Sequence, residues 1–186
     1  MPISQKNQQN SCLFLEENPY ISQSLLATNP FEPKRQALTL AIIEHESGHK
    51  AHARPVKKWL IRSWIPISYH SSAKGYAQST KVTWSDFNRS NLLKYGYKRH
   101  SYYDSVKFIR WYFDKNGTAF SEGPLNYYES YFLYHDGKVG YEKKRFNRSS
   151  KLRAYAKLVE RTAQKYERQL SECQDRMQWQ NSWVAF

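Results

Sequence analysis

The most regular hydrophobic pattern of the chain lies in residues 149–180. The segment has no internal Gly or Pro, and Ser149 or Ser150 can cap its start. This spacing predicts a long amphipathic helix with an apolar stripe that packs on the rest of the domain. The apolar side chains recur every three or four residues, at Leu152, Tyr155, Val159, Ala163, Tyr166, Leu170, Cys173 and Met177.

A second helical pattern covers residues 33–66. Pro33 suits a first helical turn, and an apolar side follows it as far as about His49. Val56, Leu60 and Trp64 then fall at four-residue spacing, with basic residues on the opposite face. We therefore predict that residues 33–66 are helical and basic, and that Pro66 ends the second helix.

Residues 79–148 have patterns that favour antiparallel strands. Val106–Phe113 alternates and leads into the turn sequence at 114–117, and Tyr127–Tyr134 leads into His135-Asp-Gly-Lys138. Thr118–Glu122 and Val139–Phe146 would be the return strands. These patterns predict a β-meander of about four strands.

The first 31 residues are rich in Asn, Gln and Ser, and they predict an irregular arm anchored by Phe14 and Leu15. A length of 186 residues fits one domain, 1–186. The predicted fold class is α+β. It has an N-terminal helical segment, an antiparallel β-meander of about four strands, and a long C-terminal helix packed on the meander.

Positive charge is concentrated between Arg54 and His100. This window holds ten Lys/Arg residues and a single acid, Asp86, while the whole chain has a net charge of +13. Eight aromatic residues are interleaved with the charge. Clustered cations attract a polyanion through counterion release, and nearby rings can stack on bases, so the pattern indicates nucleic-acid binding.

The favoured function is nucleic-acid binding without catalysis, as a subunit or accessory factor of a nucleoprotein complex. DNA and RNA both remain open as the partner, other protein subunits are possible partners, and no membrane is implied. A second interpretation is a phage- or plasmid-type inhibitor that binds an acidic protein. The predicted phosphate contacts are Lys57, Lys58, Arg62, Lys81, Arg89, Lys94, Lys98 and Arg99, and the predicted stacking or core rings are Trp59, Trp84, Tyr95 and Tyr97.

The enzyme alternative starts from His45-Glu-Ser-Gly-His49, which has the form H-E-x-x-H. This motif resembles the active-site helix of the zincin metallopeptidases. The resemblance implies a zinc metalloenzyme acting on or near nucleic acid, with His45 and His49 as ligands and Glu46 as general base. His52 and His70 would be candidates for a third ligand. The favoured prediction assigns no metal or other cofactor.

The two cysteines, Cys12 and Cys173, are far apart in sequence and have no metal-ligand spacing. We therefore expect no disulfide framework and a reducing, cytoplasmic location. The N-terminal residues lack the pattern of a signal peptide, and no stretch has the apolar length of a membrane span.

Overall fold

A computed structural model gives the fold of the chain. It describes the backbone of residues 10–30, 32–60, 65–69, 71–90, 96–116 and 126–182. Side chains are described over 10–30, 32–55, 71–90, 96–116 and 126–173.

The described residues form seven α-helices, one short hairpin and one 3-10 turn. The first three helices are α1 (Ser11–Glu17), α2 (Pro19–Thr28) and α3 (Pro33–Ser47). Strands β1 (Val56–Leu60) and β2 (Ile65–Tyr69) pair in an antiparallel hairpin. The remaining elements are α4 (Lys81–Ser90), α5 (Tyr102–Asn116), α6 (Tyr127–Glu142), the 3-10 turn Arg145–Arg148 and α7 (Ser150–Ser182).

Helix α3 is the centre of the core. Its residues from Gln36 to Ile43 are all buried, so the helix is enclosed on every side. A helix that is apolar nearly all round needs such enclosure, and α7, the longest helix, packs along it. Helices α1 and α6 also pack on α7. The sequence therefore places the apolar run of α3 where its neighbours exclude water.

The long C-terminal helix predicted from the hydrophobic stripe is confirmed. Val159, Ala163, Tyr166, Leu170 and Cys173 are all buried. The stripe packs mainly on α3 and α6 and not on a β-meander. Met177, the last residue of the predicted stripe, lies outside the residues with described side chains.

We expect Leu170→Ala to lower the free energy of unfolding by about 2–5 kcal/mol, because Leu170 is 1% exposed and its removal leaves a cavity. Leu158→Ala is the matched control, since Leu158 lies on the same helix but is 48% exposed. Urea denaturation would measure both variants. Equal losses of stability at the two positions would contradict this packing.

The predicted β-meander is wrong. Val106–Phe113 belongs to α5, and both Tyr127–Tyr134 and most of Val139–Phe146 belong to helical structure, while Thr118–Glu122 lies outside the described residues. Aromatic residues favour strands in isolation, but tertiary packing overrides that preference. In α5 the buried side chains follow a helical spacing, as Val106, Phe108, Ile109 and Phe113 show.

The predicted hairpin turn at residues 135–138 is also wrong, although the backbone does leave the helical conformation there. Gly137 has φ +71° and ψ 170°, which kinks α6. Few residues other than Gly adopt this backbone conformation. The sequence His135-Asp-Gly-Lys138 therefore marks a break within a helix and not a hairpin turn.

The described part of the predicted N-terminal arm, residues 10–30, forms helices α1 and α2, which contradicts the prediction of an irregular segment. Phe14 and Leu15, the predicted anchors, are 2% and 1% exposed, so their anchoring role is confirmed. The basic helix predicted over residues 56–64 is wrong as well, since β1 begins at Val56. No helix within the described part of the chain is long and apolar enough to cross a bilayer.

Cys12 and Cys173 form a disulfide between α1 and α7, with their Cα atoms 6.1 Å apart. The expectation of no disulfide framework is therefore wrong. The fold brings together two residues separated by 161 positions in sequence, a proximity that the sequence spacing does not indicate. The bond also removes the basis for inferring a reducing compartment.

Candidate active site

Glu46 lies one residue before the end of α3. Gly48 ends the helix in the left-handed conformation, with φ +57° and ψ 38°, and its N–H donates to the Glu44 carbonyl at 2.8 Å. The carboxyl group is thus near the negative end of the helix dipole, where a negative charge is disfavoured. The end of this buried helix therefore presents an acid in a site that favours its neutral form.

The surroundings of Glu46 also favour protonation. Burial raises the pKa of the Glu46 carboxyl, while the Tyr131 hydroxyl and the nearby His135 oppose part of that rise. The Tyr131 hydroxyl on α6 donates to Glu46 Oε1 at 2.9 Å. Since burial also raises the pKa of Tyr131, its hydroxyl keeps its proton and remains a donor. The carboxyl is therefore held in a fixed position with a raised pKa.

Two open clefts meet at Glu46. Both are lined by Glu46, Pro55, Gln78, His135 and Asp136. His135 Nδ1 lies 2.9 Å from Asp136 Oδ1, so the second shared carboxylate is paired with a histidine. Both carboxyl groups are thus within reach of a ligand that lies across the two clefts, and that of Asp136 lies next to a histidine.

The first cleft, here called the neutral cleft, has a volume of about 500 Å³. Apart from the five shared residues, no charged side chain among the described residues lines it. Its polar and aromatic walls can donate and accept hydrogen bonds and stack on flat faces. They include Ser71, Ser79, Thr80, Thr83, Tyr112 and Tyr134.

The second cleft, here called the basic cleft, has a volume of about 1020 Å³. Tyr131 and Tyr155 form part of its wall. Beyond the shared residues, the described side chains that line it include no acid. It is lined instead by four cations, Lys50, Arg54, Arg145 and Lys151.

The loop over residues 71–79 forms part of the wall of the neutral cleft. Gln78 Nε2 donates to the carbonyls of Ala53 and Gly75 at 2.9 and 2.7 Å. A Cβ atom at Gly75 would lie 1.9 Å from the Arg99 carbonyl oxygen, so only glycine fits there. The Tyr134 hydroxyl donates to the Ala77 carbonyl at 2.5 Å, which ties this loop to α6.

The zinc site implied by the H-E-x-x-H motif is wrong. Helix α3 ends at Ser47, so His45 and His49 do not lie one turn apart on a helix as the zincin arrangement requires. His45 Nε2 lies 2.8 Å from Thr162 Oγ1, and Glu46 Oε1 accepts a hydrogen bond from the Tyr131 hydroxyl. Within the side chains that the structure describes, no group of three or more His, Cys, Asp and Glu residues could hold a metal.

His49 is a core residue. It is 3% exposed, and its ring packs against Phe14 and stacks on Tyr102, with ring centres 4.7 and 6.0 Å apart. Burial lowers the pKa of the His49 imidazole to about 4, so the ring is neutral near pH 7. The candidate third ligand His52 is exposed, and His70 lies outside the described residues.

The structure assigns local roles to several residues predicted to bind nucleic acid. Arg99 donates to the carbonyls of Ser72 and Ser79 at 2.8 and 3.1 Å, which holds the 71–79 loop. Arg89 pairs with Asp86. Lys81 and Lys98 are exposed and line neither cleft.

The predicted stacking rings that the structure describes are structural. Trp84 is 6% exposed, and its Nε1 donates to the Tyr97 carbonyl at 3.0 Å. Tyr97 stacks on the buried Phe87, with ring centres 4.5 Å apart. The other predicted contacts have no described side chains, namely Lys57, Lys58, Trp59, Arg62, Lys94 and Tyr95.

Sequence reasoning missed most of the cleft. Tyr131 and Asp136 fall in the segment predicted as strand and hairpin, and Gln78 lies in a polar loop. No local pattern marks Tyr131, because its partner Glu46 is 85 positions away. Glu46 was identified only through the H-E-x-x-H motif, which implied a zinc site. The other sign of Glu46 in the sequence is its place two residues before Gly48, a glycine that can end a helix.

A family model described as "Transglycosylase SLT domain" matches residues 2–173. The match covers most of the chain and includes every described element that lines the clefts. The chain belongs to the transglycosylase SLT domain family. Neither the curated proteins nor the solved structures gave a match.

Membership of the SLT domain family corrects the predicted function. Nucleic-acid binding, a nucleoprotein complex and a nucleic-acid partner are wrong, because the family is one of transglycosylases. The zinc metalloenzyme and the inhibitor of an acidic protein are wrong for the same reason. The charge pattern that suggested a polyanion is real, but it belongs to a protein of a different class.

Proposed function

We propose that the protein cleaves glycosidic bonds of peptidoglycan by transglycosylation, with Glu46 as the general acid. The observation that carries the proposal is the half-buried Glu46 carboxyl, which has a raised pKa and lies where the two clefts meet. The SLT domain match supports the reaction class and the polymer. Departure of a sugar leaving group requires a proton donor, and a raised pKa favours the protonated form of the carboxyl.

The steps balance without a metal or other cofactor. The Glu46 carboxyl gives its proton to the glycosidic oxygen, the C1–O bond breaks, and the leaving sugar departs with a new hydroxyl group. A hydroxyl of the glycan then attacks C1, and its proton passes to the Glu46 carboxylate. The acid is restored, and no water is consumed.

The two clefts fit a polymer better than a small molecule. A glycan lying across both clefts would place one bond at Glu46 and several sugar units on either side. Tyr112 and Tyr134 on the neutral side, and Tyr155 on the basic side, offer flat surfaces on which sugar rings pack. Binding along the chain would then position the scissile bond.

Asp136 offers a second chemical route at the same site. As the other carboxylate shared by both clefts, it could activate water and make the reaction a hydrolysis. Mass spectrometry of the products separates the two routes. Transfer gives fragments whose masses sum to that of the substrate, whereas hydrolysis adds the mass of one water and would overturn the transglycosylase proposal.

We also propose that the protein acts outside the reducing cytoplasm. The Cys12–Cys173 disulfide is typical of an oxidising compartment, and peptidoglycan lies outside the cytoplasmic membrane.

The pH dependence of kcat/KM should reflect the protonation of the Glu46 carboxyl. Because the acid form is active, kcat/KM is expected to fall as pH rises through the pKa of Glu46. Tyr131→Phe removes a donor that favours the carboxylate, so it should raise that pKa and move the fall to higher pH.

Tyr141→Phe is the matched control, because the Tyr141 hydroxyl bonds Glu129 and not Glu46. Its pH profile should match that of the unmodified protein. A Tyr131→Phe profile that moved to lower pH would rule out this role for the Tyr131–Glu46 hydrogen bond.

A further inference from the structure

The outer face of α7 is lined by cations. The apolar stripe of this helix is buried, so the residues on the opposite side of the helix face solvent. They recur every three or four residues and extend over about 25 Å along the helix axis. This surface, here called the cationic face, consists of Lys151, Ala154, Lys157, Leu158, Arg161, Lys165 and Arg168. All seven are exposed except Lys165, which is partly exposed.

The acids of α7 that have described side chains lie away from the centre of the cationic face. Glu167 lies on the flank of the helix, where it accepts a hydrogen bond from the Tyr127 hydroxyl at 2.7 Å and pairs with Lys34 at 3.9 Å. Glu160 falls on the same flank by its spacing, and Glu172 follows the last cation. No ion pair between described residues uses a cation of this face. The face therefore retains its positive charge.

The turn before α7 adds further positive charge at the N-terminal end of the cationic face. The segment 138–153 contains a single acid, Glu142. The Arg153 guanidinium donates to the Phe146 carbonyl at 3.1 Å, and the Phe146 ring stacks on Phe132 with ring centres 4.2 Å apart, so the turn has a fixed conformation. Its exposed cations, which are also absent from the ion pairs of the described residues, are Lys143, Lys144, Arg145 and Arg148.

A large apolar side chain lies in the middle of the cationic face. Leu158 is 48% exposed, between Lys157 and Arg161. A soluble polyanion would leave this leucine in water, whereas the boundary between lipid headgroups and acyl chains would bury it. Apart from Lys151, the residues of the face line neither cleft. The outside of a single helix is a convex ridge, which suits a broad surface better than a polymer chain.

We propose that the cationic face and the turn before it dock on an anionic phospholipid membrane. Clustered Lys and Arg residues on one side of a helix are attracted to the negative charge of the headgroups, and Leu158 enters the boundary below them. The buried stripe keeps α7 packed in the domain, so the whole protein binds at the membrane surface. Because Lys151 also lines the basic cleft, docking places that cleft beside the headgroups. The proposal does not depend on the reaction at Glu46.

Co-sedimentation of the full-length protein with lipid vesicles tests the proposal. One set of vesicles contains only phosphatidylcholine, which has no net charge. The other contains equal amounts of phosphatidylcholine and phosphatidylglycerol, which is anionic. We expect the protein to bind the anionic vesicles at least about tenfold more tightly, and to lose this advantage as salt is added. Equal affinities for the two sets of vesicles would overturn the proposal.

Lys157→Gln/Arg161→Gln removes two cations from the centre of the face. We expect it to weaken binding to the anionic vesicles by about tenfold or more, because one Lys or Arg near an anionic membrane contributes about fivefold. Lys81→Gln/Lys98→Gln is the matched control, since both residues are exposed, lie outside the cationic face and carry the same total charge. Equal losses in the two double variants would overturn the proposal, and thermal melts would check that both are folded.

Leu158→Ser separates a membrane from a soluble polyanion. It should weaken binding to the anionic vesicles several-fold and leave binding to soluble polyphosphate unchanged, because only the membrane buries the leucine. Val82→Ser is the matched control, since Val82 is 72% exposed on α4 and lies outside the cationic face, so it should bind vesicles like the unmodified protein. If Leu158→Ser weakened neither interaction, the face would bind a soluble polyanion and the membrane proposal would be wrong.

Discussion

Replacing Glu46 with Gln is expected to lower kcat on peptidoglycan by about 10²–10⁴-fold, which is the usual contribution of a general acid. The amide keeps the shape of the carboxyl but cannot donate the proton. Binding of the glycan should change little. Stability near neutral pH should stay the same or rise, because the neutral amide has no ionised form for burial to disfavour.

The sign of that stability change follows from the raised pKa. Between its ordinary pKa and the raised one, Glu46 binds more proton in the folded protein than in the unfolded chain. The free energy of unfolding therefore falls as pH rises through this interval. Glu46→Gln should remove this part of the pH dependence, which thermal melts at several pH values would measure.

Glu142→Gln is the matched control for the loss of activity. Glu142 is an exposed carboxylate at the end of α6 that lines neither cleft, so kcat should be unchanged. Turnover of a soluble peptidoglycan fragment would be followed by chromatography. If the activity of Glu46→Gln stayed within a few-fold of that of the unmodified protein, the assignment of Glu46 as the general acid would be wrong.

Removing the Cys12–Cys173 disulfide is expected to lower the free energy of unfolding by about 2–5 kcal/mol. The bond closes a loop across a separation of 161 residues, so it restricts the unfolded chain strongly. A loss of this size is a large part of the stability of an ordinary domain. Urea denaturation of Cys12→Ser/Cys173→Ser would measure it.

The serine double variant also supplies the control. A reductant should destabilise the unmodified protein and have no effect on the double variant. Neither cysteine lines a cleft, so activity at low temperature should survive in both. A reductant effect of equal size in the two proteins would show that the loss does not come from this bond.

Two helices could be predicted from the sequence, α7 from its apolar stripe and α3 from the apolar run that follows Pro33. Helix α7 follows the spacing that leads from Val159 to Cys173, and α3 was predicted within two residues of its observed end. Helices α5 and α6 could not, because aromatic residues satisfy strand and helix patterns alike in short windows. Only their packing against other helices decides between the two.

Only one residue of the candidate site, Glu46, could be predicted from the sequence. Glu46 is visible in the sequence because it lies next to two histidines and a glycine, but those neighbours suggested zinc. Its role depends on burial and on Tyr131, and both arise from contacts between α3 and α6. The basic window at residues 54–100 was wrongly assigned to nucleic acid, because composition alone does not identify the partner of a charged surface.

The bond between α1 and α7 turns most of the chain into a covalent ring. The ring runs along the backbone from Cys12 to Cys173 and is closed by the sulfur–sulfur bond between their side chains. Helix α3 and its acid lie inside it. A protease that cuts one peptide bond anywhere between the two cysteines therefore opens the ring but releases no fragment, and the acid stays tethered to both halves of its cleft.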